Sequence, residues 1–131
     1  MTPEQFGAGT GAPNSVVDQF RRYEAVLRKW QPAINLVGPS TLPDLWRRHF
    51  LDSAQLWPLG IEGRSRVVDV GSGAGFPGLV LAILGAPEVH LVESDVRKAA
   101  FLAEAVRASG AKGVRIHPKR VQDVSRETIG G

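Results

Sequence analysis

The chain has 131 residues, of which 43% are hydrophobic and 22% charged, a composition typical of one folded domain that buries roughly two-thirds of its unfolded surface. With 16 Lys and Arg against 13 Asp and Glu, the net charge of +3 permits an anionic partner without requiring one. The absence of cysteine excludes disulfides and cysteine-ligated metal centres and favours a reducing, cytoplasmic location, and no apolar run approaches the roughly 18 residues that span a membrane.

The N-terminal part of the chain predicts a tail followed by a helix. Residues 1–13 are rich in Gly, Thr, Pro and Ala and have neither a basic leader nor an apolar core, so we expect a disordered tail and no secretion signal. Ser15 and Asp18 have the spacing of a capping box that starts a helix, and Pro32 ends it. One apolar face of this helix follows steps of four and three residues: Val16, Phe20, Tyr23, Leu27 and Trp30.

A second helix is predicted from Thr41, because Asp44 completes another capping spacing. Its apolar stripe consists of Leu42, Leu45, Trp46, His49 and Phe50. The helix continues with an interruption near Pro58 and ends before a turn at residues 61–65. We therefore predict an N-terminal helical segment over residues 14–63.

The periodicity changes at residue 66, where β-branched residues begin to alternate with helical stretches. Val67, Val68 and Val70 run straight into glycine, as a buried parallel strand does. The following helices and strands are predicted at Gly78–Leu84 (helix), Val89–Val92 (strand), Val96–Ser109 (helix) and Val114–Ile116 (strand). Strands that alternate with helices predict a parallel sheet, so we expect residues 64–131 to form an α/β part of Rossmann type.

The most informative motif is the glycine loop Asp69-Val-Gly-Ser-Gly-Ala-Gly-Phe-Pro-Gly78, between the first strand and the following helix. Glycines at such a place allow positive φ and let a ligand approach the backbone closely. Glu93 ends the second strand, 22 residues after Gly71, where a carboxylate accepts hydrogen bonds from ribose hydroxyls. Loop and acid together predict a nucleotide-type cofactor site.

Two cofactors compete for this site. The segment from Gly73 to Gly78 also satisfies the dinucleotide pattern G-x-G-x-x-G, so an NAD(P)-dependent oxidoreductase is one alternative. Asp69 favours the other, because a carboxylate before the first glycine repels a pyrophosphate but attracts the ammonium and sulfonium groups of S-adenosylmethionine (AdoMet). AdoMet is therefore the predicted cofactor, with Asp69, Gly71, Gly73 and Gly75 around it.

Four segments carry a family resemblance. They are Asn35-Leu36, Trp46-Arg-Arg-His-Phe-Leu-Asp-Ser53, the glycine loop and Lys98-Ala-Ala-Phe-Leu102. Together they resemble the bacterial ribosomal RNA small-subunit methyltransferase G family, also called glucose-inhibited division protein B, over nearly all of the chain from Val16 to Asp123. The resemblance implies a class I, Rossmann-like AdoMet-dependent methyltransferase fold. It also implies transfer of a methyl group from AdoMet to N7 of a guanine in 16S ribosomal RNA.

Carried over residue by residue, the resemblance adds cofactor contacts to those in the loop. They are Phe76, then Glu93, Ser94 and Asp95 after the second strand, and Val121 and Gln122 after the third. Where Gln122 stands the family usually has a Glu that accepts from the adenine amino group, so the Gln122 amide oxygen or the neighbouring Asp123 must serve here.

Family members also continue with further strands. We therefore expect this chain to be a fragment, whose first strand has an unpaired, apolar edge. A truncated chain that binds cofactor or RNA without catalysis is a further alternative to a working methyltransferase.

Four basic residues are candidates for contacts to RNA phosphate: Arg47, Arg48, Lys98 and Arg120. Arg47 and Arg48 project from the side of the second helix opposite its apolar stripe, and Lys98 follows Glu93 closely. The alternative for each is an ordinary solvated cation on the surface.

No catalytic acid or base is predicted, because guanine N7 is an exposed lone pair that needs no deprotonation and positioning supplies the catalysis. We expect His49 to have a structural role, bonded to a nearby carboxylate. Asp52 and Ser53 are interpreted either as a helix cap or as part of a site. His90 and His117 lack the spacing of metal ligands, so no metal site is predicted.

Overall fold

The computed structural model describes residues 1–57 and 66–124. In this part of the chain, five α-helices accompany one three-stranded sheet. The helices are α1 (Pro3–Thr10), α2 (Asn14–Trp30), α3 (Asp52–Ala54), α4 (Gly78–Leu84) and α5 (Val96–Ser109), and the strands are β1 (Val67–Val70), β2 (Val89–Val92) and β3 (Val114–His117). The predicted turn at residues 61–65 lies outside the described residues. None of the described helices is long and apolar enough to cross a membrane.

The sheet has the order β1-β2-β3, and both pairs of strands are parallel. The register aligns Val67 with Val89 and Val89 with Val114. All four residues of β2 are buried, because this strand lies between the other two. The predicted α/β fold with a parallel sheet is confirmed, and β3 extends one residue further than predicted, to His117.

The two faces of β1 differ in how far their side chains are buried. Val67 packs against the hydrophobic core, whereas Val68 and Val70 are 43% and 56% exposed. The prediction of a buried first strand is therefore wrong for one face, which no described helix covers. Within residues 66–124, β1 pairs only with β2, so its outer edge has no strand partner in that range, as predicted.

Residues 1–13 do not form the predicted disordered tail, because α1 occupies most of this segment. A capping box starts the helix: the Thr2 hydroxyl accepts from the Gln5 N–H at 3.1 Å, and the Gln5 side chain accepts from the Thr2 N–H at 2.8 Å. Phe6 is fully buried, and its ring lies edge-on to those of Phe20, Trp46 and Phe50. Average composition predicted disorder, but one deeply buried ring anchors the segment.

The second helix, α2, begins one residue before the predicted cap. Its N-cap residue is Pro13, whose side chain makes no capping bond, and the predicted cap partner Asp18 pairs with Arg21 at 2.7 Å instead. The helix ends at Trp30, before Pro32, as predicted. The helix packs against α5, α1 and α4. Its buried residues are Val17, Phe20, Tyr23, Val26 and Leu27.

Residues 42–54 form a continuous helical run of changing pitch. A 3-10 turn (Leu42–Asp44) leads into a π-helix (Trp46–Leu51), which continues as α3. The predicted cap at Thr41 is wrong, because its side chain makes no capping bond to this run. π-Helical turns are rare and often occur at functional sites, so this run is a candidate part of the functional site.

For the same run, the predicted pattern of buried and exposed residues is confirmed, whereas the predicted helix cap at Asp52 and Ser53 is wrong. Trp46 and Phe50 are buried and Arg47 and Arg48 are exposed, as predicted. Asp52 does not cap a helix, because the residue before it is already helical. Ser53 does not cap a helix either, because it lies inside α3, where it is buried.

Candidate functional site

The glycine loop joins β1 to α4 at the carboxyl ends of the strands. The N–H groups of Gly71 and Ser72 donate to the carbonyl oxygen of Val92, at 2.8 and 3.2 Å, which ties the loop to the end of β2. Gly75 donates to the carbonyl oxygen of Ser72 at 2.7 Å and closes the turn. The loop therefore lies where open parallel sheets bind their ligands.

The glycines of the loop fall into two groups. Gly71 and Gly73 have positive φ, +72° and +54°, and a Cβ added to either would meet no atom closer than 3.9 Å. A Cβ at Gly75 would collide with the Tyr23 hydroxyl, and one at Gly78 would collide with side chains of β1 and β2. The first two glycines thus leave backbone open to a ligand, while the other two allow close packing beneath it.

Tyr23 of α2 supports the loop from below. Its side chain is fully buried, and its hydroxyl donates to the carbonyl oxygen of Ala74. Burial, together with the negative charge of Asp69, raises the pKa of Tyr23 well above its ordinary value, so the hydroxyl stays a donor. Sequence reasoning assigned Tyr23 only to an apolar stripe. The clue it missed is that a buried tyrosine hydroxyl needs a hydrogen-bond partner.

Glu93 connects the loop to the turn after β2. It is only 7% exposed, and its Oε1 accepts from the Gly73 N–H at 2.7 Å while its Oε2 accepts from the Asp95 N–H at 2.9 Å. Asp95 in turn caps α5 by accepting from two N–H groups of its first turn, which lower the pKa of its carboxyl, and Ser94 is exposed between them. Since a carboxylate has about four acceptor positions, Glu93 retains room for ribose hydroxyls.

Asp69 lies beneath the N-terminus of α4. Its Oδ2 accepts from the Gly78 N–H at 3.0 Å. Burial raises the pKa of Asp69 to about 6, against the opposing effect of hydrogen bonds from Gly78 and Ser72. The carboxylate therefore helps to fix the start of α4, a role that sequence reasoning missed. At neutral pH it is mostly ionised, so it also keeps the negative charge on which the cofactor prediction depends.

Replacing Asp69 by Asn is expected to remove a pH-dependent loss of stability. Because the pKa is raised in the folded state, folding favours the protonated carboxyl, and this contribution disappears as the pH rises from about 4 through about 6. Asn keeps an acceptor for the Gly78 N–H but does not titrate. At about pH 8 the cofactor-free variant should therefore melt at the same temperature as the wild type or at a higher one. A lower melting temperature at this pH would contradict the raised pKa of Asp69.

His49 of the π-helix packs on the loop. Its ring stacks on Phe76 with the centroids 4.9 Å apart and an interplanar angle of 9°. Its Nε2 lies 2.9 Å from the Thr41 hydroxyl, which itself donates to the carbonyl oxygen of Gly38, so Nε2 carries the proton. Burial and the charge of Arg48 lower the pKa of His49. The predicted carboxylate partner is wrong, because the partner is a hydroxyl.

The candidate RNA contacts on the first half of the chain, Arg47 and Arg48, lie in the π-helix. Arg47 and Arg48 are exposed and line a pocket of about 430 Å³ together with Asp52 and Gln55. Lys98 is half-buried in the first turn of α5, near the capping carboxylate of Asp95. These three candidates thus lie on two elements, the π-helix and α5.

Comparison with known proteins assigns the family. A sequence profile of the rRNA small subunit methyltransferase G family (GidB) matches residues 16–129. The chain belongs to this family. The match spans both the helical segment and the sheet, including the whole loop and Glu93.

Curated members of the methyltransferase G family are similar over most of the chain. The ribosomal RNA small subunit methyltransferase G of Rhodospirillum centenum is 60% identical over 117 residues, which cover 89% of this chain and 54% of that protein. Those of Paramagnetospirillum magneticum and Rhodospirillum rubrum are 54% and 57% identical, and each match covers 60% of the relative and 95% or 93% of this chain. The chain thus spans between 54% and 60% of the length of these three relatives.

The methyltransferase G resemblance also predicted cofactor contacts after β3. Val121 and Gln122 lie in a 3-10 turn (Val121–Asp123) beyond this strand, and both are exposed. Asp123 faces Arg120, with 3.8 Å between Oδ2 and Nε. Arg120, which was predicted to contact RNA phosphate, therefore has an acidic partner on the protein surface. The turn follows β3, whose carboxyl end lies at the same edge of the parallel sheet as the loop.

The two buried histidines, His90 and His117, connect neighbouring strands. Nδ1 of His90 lies 2.8 Å from Nε2 of His117, and Nε2 of His90 lies 2.6 Å from Oε2 of Glu88. Burial and the charge of His90 lower the pKa of His117. Within residues 1–57 and 66–124, no three His, Asp or Glu side chains are placed to hold a metal ion.

Proposed function

We propose that this chain is the cofactor-binding portion of a methyltransferase that transfers a methyl group from AdoMet to N7 of a guanine in 16S ribosomal RNA in the cytoplasm. The observation that supports this most directly is the loop itself. It is open at Gly71 and Gly73, and Glu93 lies beside it with acceptor capacity to spare. Family membership and the names of the relatives support ribosomal RNA as the substrate.

The residues present fit AdoMet. Glu93 would accept from the ribose hydroxyls, and the open backbone at Gly71 and Gly73 would approach the methionine portion. Asp69 provides a negative charge that a cationic ligand stabilises and a phosphate would not. Gln122 would accept from the adenine amino group, since Asp123 faces Arg120.

Little chemistry is required of the side chains. When bound, AdoMet supplies a methyl carbon activated by the positively charged sulfur. Guanine N7 carries an accessible lone pair, so no residue of this chain has to remove a proton. The contribution of the protein is to hold N7 about 3 Å from the methyl carbon in line with the departing sulfur.

The two predicted parts of the chain would cooperate in this task. We assign cofactor binding to residues 64–131 and assign the wall that supports the loop to residues 14–63. Tyr23 links the two, because its hydroxyl binds Ala74 and its ring lies 5.9 Å from that of Phe76. His49 reaches the same ring from the π-helix.

Titration calorimetry tests the cofactor. We expect heat of binding with AdoMet and with its demethylated product, and none with NAD, because a pyrophosphate would lie against Asp69. Glu93→Ala should weaken the binding of both AdoMet and its product, since both carry the ribose. Heat with NAD and none with AdoMet would overturn the proposal in favour of an oxidoreductase.

The site of methylation requires a second measurement. Small-subunit ribosomal RNA is incubated with the protein and methyl-labelled AdoMet, then digested to nucleosides. Label in 7-methylguanosine supports the proposal, and label in any other nucleoside contradicts the assignment of N7.

A further inference from the structure

Two adjoining pockets lie along the helical run that contains the π-helix and α3, and the second of them also contacts the glycine loop. The first, of about 430 Å³, is lined by Arg47, Arg48 and Leu51. The second, of about 420 Å³, is lined by Ser53, Leu56, Phe76 and Pro77. Asp52 and Gln55 line both pockets and so form the boundary between them.

The two pockets differ in chemistry. Arg47 and Arg48 make the first one cationic, and neither forms an ion pair within 4.0 Å with the residues that the structure describes. The second has apolar walls, because Phe76 and Pro77 are half-buried and Leu56 is 36% exposed. A cationic pocket beside an apolar one suits a phosphate joined to a flat base.

The residues at the boundary match one base better than the others. Asp52 and Gln55 are three residues apart, so they lie on one face of the helical run. A carboxylate accepts from two neighbouring N–H groups, and the Gln amide donates to a carbonyl oxygen. Guanine presents this pattern on its Watson–Crick edge, with N1–H and the 2-amino group beside O6. Adenine presents an unprotonated N1, which a carboxylate repels.

This way of holding guanine leaves its reactive atom accessible. N7 lies on the Hoogsteen edge, away from N1 and the 2-amino group, so contacts to Asp52 do not cover it. The base pocket also borders the cofactor loop, because Phe76 and Pro77 directly follow Gly75. A base held there would present N7 near the cofactor site.

We propose that these paired pockets bind the substrate guanine nucleotide, with Asp52 and Gln55 recognising the base and Arg47 and Arg48 holding its phosphate. The proposal rests on the proposed function for the identity of the methyl acceptor. It makes Asp52 a specificity-determining residue.

Nuclear magnetic resonance titrations with guanosine, inosine and adenosine monophosphates test the inference. The wild type should bind the guanine nucleotide roughly tenfold more tightly than the adenine nucleotide, with inosine, which lacks the 2-amino group, between them. Asp52→Asn should bring the guanine-to-adenine ratio to about one, because the Asn amino group opposes N1–H. Arg48→Ala should weaken all three nucleotides by the same factor, leave the ratio unchanged and reduce the salt dependence.

Asp18→Asn is the matched control. Asp18 is also an exposed carboxylate on a helix, but it pairs with Arg21 and lines neither pocket, so the ratio should stay at the wild-type value. Equal affinities for guanine and adenine nucleotides in the wild type, or a preference that survives in Asp52→Asn, would overturn the inference. AdoMet titrations of the same samples report separately on the proposed function. AdoMet binding without base selectivity would remove only the guanine pocket.

Discussion

Replacing Phe6 by Ala is expected to lower the free energy of unfolding by about 3–5 kcal/mol. The ring is fully buried and lies 4.9 Å from that of Phe20 and 5.3 Å from that of Trp46, measured between centroids. Truncation removes this apolar burial and leaves a cavity that rigid aromatic neighbours fill poorly. Urea denaturation monitored by tryptophan fluorescence measures the change, since Trp46 lies beside the cavity.

Glu4→Ala provides the control within the same helix. Glu4 is exposed and forms an ion pair with Arg21 on the surface, where such pairs contribute about 0–1 kcal/mol. A loss below about 1 kcal/mol for Phe6→Ala would contradict the docking of α1 and restore the interpretation of residues 1–13 as a disordered tail. Comparable losses in the two variants would do the same, because burial is what separates Phe6 from Glu4.

The sequence predicted the elements around the cofactor loop more accurately than those before it. α4, β2 and α5 have the predicted bounds, and the loop lies at the carboxyl end of a parallel sheet as predicted. These elements have local causes: a β-branched run, a glycine turn, and the Asp95 cap that starts α5. Patterns within a few residues are sufficient to specify them.

The errors concern features that depend on distant partners. α1 is stabilised by the burial of Phe6 among rings from α2 and the π-helix, and no pattern within residues 1–13 reports that contact. The predicted cap at Thr41 is absent, because the hydroxyl binds His49 and Gly38 instead. These contacts could be identified only from the folded neighbours, whereas the capping box of Thr2 and Gln5 at the start of α1 is a local signal that the compositional argument missed.

In the candidate site, too, the sequence predicted the features with local causes and missed one that depends on distant residues. Glycines and an acid at the right spacing predicted the position of the loop relative to Glu93, and the hydrogen bond from Gly73 to Glu93 brings them together. The support from Tyr23 joins residues separated by 51 positions, so no local motif contains it. The sequence identifies what can contact a ligand, whereas the structure identifies what holds those residues in place.

Replacing Gly73 by Asp is expected to weaken AdoMet binding about a hundredfold or more, which corresponds to roughly 3 kcal/mol. The new side chain would enter the open space on the ligand side of the loop. Its carboxylate would also lie close to that of Glu93, whose Oε1 is 2.7 Å from the Gly73 nitrogen, and the two charges would repel. Titration calorimetry measures the affinity, and thermal melting of the cofactor-free variant measures the fold.

Gly11→Asp separates the effect on the ligand from the effect on the backbone. Gly11 has φ of +73° and no atom within 4 Å of an added Cβ, but it ends α1 and is not part of the cofactor loop. A non-glycine residue at such φ costs about 1–2 kcal/mol in both variants, and Gly73→Asp should lose more stability than Gly11→Asp because its carboxylate also lies close to that of Glu93. Only Gly73→Asp should lose AdoMet affinity. If the two variants bound AdoMet equally well, the open backbone at Gly73 would not face the cofactor, and the ligand would have to lie elsewhere along the sheet.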